Sequence, residues 1–96
     1  MSWEIDSFLK SLISVSDTTS AVYKRDVDAF MKWTVEKSLY KPEDITRRHL
    51  RYYLAWLQES NYARRTIARK ASALRRYFKW AQRTGLISAD PSIEIQ

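Results

Sequence analysis

The sequence predicts an all-α fold, a small bundle of four to five helices, and three observations point to it. Glycine occurs once and proline twice in 96 residues, too few punctuating residues for a turn-rich β fold. Apolar residues recur at three- and four-residue steps through most of the chain rather than alternating. Aromatic residues make up 14%, with four Trp and six Tyr, so large rings can fill the one modest core that this length allows.

The elements follow in order. A first helix is expected from about Trp3 to Ser14, with Trp3, Phe8, Leu9, Leu12 and Ile13 as its apolar set. SDTTS (16–20), a cluster of residue types that cap helix N-termini, opens a second helix running to about Lys37. Tyr23, Val27, Phe30 and Thr34 repeat along one face of it, flanked by Met31 and Trp33. SLYKPED (38–44) is a loop, because Pro42 disfavours helical backbone at Lys41. Thr46 is placed to cap a third helix, about 47–60, whose inward stripe is Leu50, Tyr53, Leu54 and Leu57. SNYA (60–63) connects it to a fourth helix from Arg64 to Thr84, with Gly85 as the stop. Asp90-Pro91 closes the domain and PSIEIQ reads as a linker or tail.

Composition narrows the function classes. Hydrophobic residues at 45% and charged residues at 29% fit a folded globular domain and not a disordered chain. The absence of cysteine excludes a disulfide scaffold, a thiolate nucleophile and a cysteine-based metal site. No apolar run approaches the roughly 18 residues that span a bilayer. Glu4 and Asp6 stand where a secretory signal would carry positive charge, so a cytoplasmic location is expected.

The charge is unevenly spread. The net value is +6, yet residues 1–46 hold eight acids against six bases, whereas residues 47–96 hold eleven bases against three acids. Nine of those eleven bases are Arg, whose planar fork suits phosphate better than the lysine ammonium does. Eight cations fall between Arg64 and Arg83 with no acid among them. At 100° per residue, Ile67, Ala71, Leu74, Phe78 and Ala81 form one stripe, and Arg65, Arg69, Arg76 and Arg83 lie about 160–200° from it. Arg64, Lys70, Arg75 and Lys79 take the flanks, giving a cationic face roughly 30 Å long. A solvated helix would interleave acids at four-residue spacing. A polyanion would relieve the repulsion here, and nucleic acid is the leading candidate. Ser16, Thr18, Thr19 and Ser20 add hydroxyls and backbone N–H groups at a positive helix end, with Lys24 and Arg25 one turn on.

These pieces, in this order, resemble the N-terminal core-binding, SAM-like domain of tyrosine recombinases, the domain of phage integrases and Xer-type recombinases. The resemblance rests on Ser16, Thr19, Tyr23 and Asp26 within SDTTSAVYKRDVDAF, on ITRRHLRYYLAWLQ (45–58), and on ARRTIARKASALRRYFKWAQRTGLISADP (63–91). It implies a helical bundle that clamps one face of duplex DNA, with helices two and four at the major groove and a larger catalytic domain on the other face. By position, the implied DNA contacts are Thr19, Lys24 or Arg25, Arg65, Thr66 and Arg69, with Lys70 and Arg76 as further candidates. Thr66 is carried by the resemblance alone, and local capping is its other reading. Residues 1–90 would be the core-binding domain and 91–96 the start of a linker to a catalytic domain absent from this chain. The implied partners are double-stranded DNA, that catalytic domain and neighbouring protomers in a synapse. No cofactor, metal or membrane partner is expected.

The chain as given is not expected to be an enzyme itself. The family's chemistry uses two Arg, a Lys, one or two His and a nucleophilic Tyr, with an Arg three residues after a His. Here the single His49 is followed at that spacing by Tyr52. Two other functions fit the charge: a stand-alone helical protein that binds nucleic acid without sequence preference, and an interaction domain that docks an acidic protein. A footprint of defined sequence separates the recombinase reading from the first, and a steep log-linear salt dependence separates it from the second.

Overall fold

The computed structural model describes residues 3–93 and 95, and among these the chain forms α1 (Ile5–Lys10), α2 (Asp17–Glu36), a 3-10 turn (Pro42–Asp44), α3 (Arg47–Glu59) and α4 (Arg64–Arg83), with no strand. The all-α expectation holds. The first helix is shorter than its apolar spacing suggests. Glu4 takes a left-handed conformation (φ 54°, ψ 44°) and no side chain caps the helix start, so Trp3 stands outside it. At the other end the Ser11 hydroxyl donates to the Phe8 carbonyl, a local bond that competes with helix propagation. Trp3, Phe8 and Leu12 are buried, but Ile13 is 91% exposed and does not join the apolar set.

The two caps read from the sequence form. Ser16 Oγ accepts from the Thr19 N–H (3.1 Å) at the start of α2. At α3 the bonding is reciprocal: Thr46 Oγ1 accepts from the His49 N–H (3.3 Å), and His49 Nδ1 accepts from the Thr46 N–H (3.0 Å). Histidine stands where a capping box usually carries Glu or Gln. A cap of this kind contributes about 1 kcal/mol.

Three helices end alike. Ser38, Asn61 and Gly85 follow α2, α3 and α4 in left-handed conformation, with φ of 63°, 66° and 85°. In each case the next N–H reaches back to the third-last helical carbonyl: Leu39 to Thr34 (2.9 Å), Tyr62 to Leu57 (3.1 Å) and Leu86 to Ala81 (2.9 Å). The left-handed residues themselves donate to Val35, Gln58 and Gln82. This double bond pattern satisfies carbonyls that a helix end would leave open. Gly85 was legible as a stop; Ser38 and Asn61 do the same work without glycine's freedom.

α4 is the central element. It packs against α2, α3 and α1, while α1 also packs on α2. Ala71, Leu74, Phe78 and Ala81 are buried as the stripe predicts, but Lys70, Ala73, Tyr77 and Trp80 are buried too. The buried arc is wider than one stripe because α1 covers a second side: Phe8 lies 5.3 Å from Tyr77 and 5.5 Å from Trp80, ring centre to ring centre. Phe30 of α2 joins the other half of the core, 4.9 Å from Tyr53 and 6.2 Å from Phe78. Trp3 ties the N-terminal segment down. Its indole N–H donates to the Tyr40 carbonyl (3.2 Å), and its own carbonyl accepts from the Tyr77 hydroxyl.

Packing does not stop at residue 90. Ser92 and Ile95 are buried, and Arg75 donates to the Ile95 carbonyl (3.3 Å). This part of the expected linker lies against the bundle; residues 94 and 96 of it are outside the described residues. Among the described residues no helix is long and apolar enough to cross a membrane.

Candidate nucleic-acid interface

The N-terminal half of α2 and the outer side of α4 form one surface. A cleft of about 260 Å³ runs between them, lined by Thr18, Thr19, Val22, Tyr23, Asp26, Arg69 and Ser72. Across the same seam the Arg76 guanidinium sits 5.7 Å from the centre of the Tyr23 ring, a cation–π contact. Thr19, Arg69 and Arg76, far apart in sequence, therefore come together. Arg64, Arg65, Arg69, Arg75, Arg76, Lys79 and Arg83 of α4 are exposed, as are Lys24 and Arg25 of α2.

The charges are not equally free. Among the described residues, Arg65, Arg76 and Arg25 make no ion pair. Lys24 pairs with Asp28 one turn along (2.7 Å), and that hydrogen bond raises its pKa above the usual lysine value. Arg69 is held by Asp26 through two bonds, Nε to Oδ2 (2.9 Å) and Nη2 to Oδ1 (2.8 Å). The hydrogen bonds to this carboxylate raise the Arg69 pKa further above its ordinary value. Lys70 does not lie on an exposed flank. It is buried, with Nζ 3.3 Å from Asp26 Oδ1 and 5.8 Å from the centre of the Tyr62 ring. An acid from the first half of the chain thus compensates two of the eight α4 cations, which the sequence of α4 alone does not show.

Thr66 is half-buried in the first turn of α4. No side chain caps that helix, whose N-cap residue is Ala63, so the capping alternative for Thr66 is not realised. Thr19 Oγ1 accepts from the Ser16 hydroxyl (3.0 Å), which leaves its own O–H available to a ligand.

Sequence reasoning missed the anchoring role of Asp26. It is fully buried on α2, next to Val27 of the apolar stripe. A carboxylate at a core-facing helical position was itself the signal, since buried charges are paired or absent. Its partners, 43 and 44 residues later, are invisible to any local pattern. Elsewhere, α3 presents Tyr52 and Trp56 outward, and with Trp33, Lys37, Leu39 and His49 they line a groove of about 360 Å³. His49 is committed to its cap there, and among the described residues no three His, Asp or Glu side chains converge as a metal site would need.

Comparisons with known proteins agree with this architecture. Residues 5–85 match the family described as "Phage integrase, N-terminal SAM-like domain". The chain is 34% identical over 94 residues to tyrosine recombinase XerD of Pseudomonas aeruginosa, covering 95% of this chain and 31% of that protein. It is 35% identical over 95 residues to XerD of Shewanella oneidensis, covering 96% and 31%. It is 35% identical over 86 residues to XerC of Natranaerobius thermophilus, covering 88% and 29%. The chain thus spans about a third of the length of the curated relatives it matches. No solved structure matches it significantly.

Proposed function

Because the chain belongs to the phage integrase N-terminal SAM-like domain family, we propose that it grips duplex DNA for a tyrosine recombinase, laying the α2–α4 seam along the major groove of a recombination half-site. One observation carries this reading: a row of exposed guanidinium groups on α4, continued by the α2 start, beside a cleft whose lining acid, Asp26, is turned inward. Cations arranged to be neutralised within the chain would interleave with carboxylates at the surface. Cations arranged to meet phosphates gain from counterion release instead.

Roles follow from how free each group is. Arg65, Arg76 and Arg25, which make no ion pair among the described residues, grip phosphates. Thr19 and Thr66 add hydroxyl contacts, and Lys24 contributes while sharing its charge with Asp28. Lys70 acts from beneath, through Asp26. Strand cleavage and rejoining would fall to a catalytic domain of the recombinase, with neighbouring protomers completing the synapse.

A salt titration of duplex binding tests this. The logarithm of the association constant is expected to fall linearly with the logarithm of salt concentration, by about 0.9 per phosphate contacted. Arg65→Ala and Arg76→Ala are each expected to reduce that slope by about 0.9 and to weaken binding alike on every sequence. Lys79→Ala, on the flank, is expected to have a smaller effect. Slopes unaltered by Arg65→Ala and Arg76→Ala would remove the phosphate-gripping role from α4.

A further inference from the structure

Resting on the duplex-binding reading, we propose that Asp26 aims Arg69 at a guanine, so that Arg69 reads sequence while the other exposed arginines of the seam grip phosphates. A guanidinium presents two forks of N–H donors, one along its side (Nε and Nη2) and one at its end (Nη1 and Nη2). Asp26 occupies the side fork with both carboxylate oxygens, at 2.9 Å and 2.8 Å. No group of the described chain takes the end fork, and 41% of the Arg69 side chain is exposed. The spacing of an end fork matches O6 and N7 of guanine in the major groove, the commonest specific contact of arginine with a base.

The anchor is built to hold that plane still. Asp26 is fully buried on α2, and Lys70 adds a third bond to Oδ1 from beneath. Arg69 thus has its guanidinium fixed before any ligand arrives, and the side-chain ordering that binding would otherwise require is already complete. A phosphate contact gains little from such fixing, because a phosphate accepts hydrogen bonds over a broad range of directions. A base edge accepts them only in its own plane. Among the described residues, Arg76 rests on the Tyr23 ring without a carboxylate partner and Arg65 makes no ion pair, so neither has this bracing. The hydrogen bonds of Arg75 among the described residues go to neutral oxygens, those of Ser72 and Ile95. Asp26 is therefore a positioning residue, acting on DNA through Arg69.

The test starts with selection of binding sequences from a randomised duplex pool by the 96-residue chain. A selected site is then remade with 7-deazaguanine at each guanine in turn, which removes the N7 acceptor and leaves the phosphates untouched. At one guanine the wild-type chain is expected to bind the 7-deaza duplex about tenfold more weakly. Arg69→Lys, which cannot offer both forks, is expected to bind the two duplexes alike. Asp26→Asn is expected to lose the same discrimination while its affinity for the unselected pool rises, since a negative charge leaves the seam; loss of fold alone would lower both. If Asp26→Asn does not fold, the wild-type and Arg69→Lys measurements still decide whether Arg69 reads that guanine. Asp26→Glu, which keeps the charge but shifts the carboxylate, is then expected to weaken the discrimination; full discrimination by Asp26→Glu overturns the positioning role. Equal binding of guanine and 7-deazaguanine duplexes by the wild type overturns the guanine assignment and leaves duplex binding standing. Failure of the wild type to retain any pool duplex at low salt overturns duplex binding itself, and this inference with it.

Discussion

Replacing Asp26 with alanine is expected to lower folding stability by about 3 kcal/mol, the low end of what breaking a buried ion pair costs. The carboxylate is fully buried and bonded by two cations. Their fates on its removal differ. Arg69 is partly exposed and can turn its guanidinium into water, which limits the loss. The Lys70 side chain is only 9% exposed and would be left as a buried charge with no counterion. Equilibrium urea unfolding reads the effect as a lower midpoint at an unchanged m-value. The diagnostic step is the second substitution. Adding Lys70→Met to Asp26→Ala is expected to recover most of the loss, because the stranded ammonium is replaced by an apolar chain of similar length. Strict additivity of the two changes would mean that Lys70 and Asp26 do not depend on one another.

Tyr77→Ala is expected to cost more, about 4 kcal/mol, as truncation of a fully buried aromatic residue does. The Tyr77 ring meets Trp3, Phe8, Phe78 and Trp80, and its hydroxyl donates to the Trp3 carbonyl. One side chain therefore joins α4 to the N-terminal segment 74 residues away. Tyr77→Phe keeps the ring and leaves the Trp3 carbonyl unpaired, at an expected cost of about 1–2 kcal/mol. Alkali separates the two variants from wild type. Burial pushes the Tyr77 phenol well above its ordinary pKa, and Tyr53 likewise. Above about pH 10 the unfolded chain releases protons that the folded chain retains, so stability falls as pH rises, by up to about 1.4 kcal/mol per pH unit for each tyrosine. Tyr77→Phe is expected to show a shallower alkaline decline in urea midpoint. An equally steep decline would show that Tyr77 ionises in the folded state as readily as in the unfolded.

Much of α2, α3 and α4 was legible because their determinants are local. Ser16 and Thr46 cap where a hydroxyl precedes an apolar stripe, Gly85 stops α4, and the cations of α4 separate from its apolar residues by angle alone. What could not be read depends on distant partners. The short α1 follows from a left-handed Glu4 and from Trp3 being held by Tyr40 and Tyr77 rather than by a helix. The stops at Ser38 and Asn61 depend on backbone bonds that either residue makes only once the helix before it has formed. The burial of Tyr77, Trp80 and Lys70 needs knowledge of which helices surround α4. The candidate interface divides in the same way. Its exposed cations were legible from charge and spacing, but not the division of α4 cations into free, braced and buried, which is set by one acid on another helix.

The placement of the tryptophans has an optical consequence. Trp3, Trp33 and Trp80 are buried, whereas Trp56 on α3 is 42% exposed. An aqueous quencher such as iodide reaches Trp56 and spares the other three, and the spared emission lies at shorter wavelength. One excitation thus yields two signals without any label, one reporting the melting of the interior and the other reporting what happens on the outer side of α3.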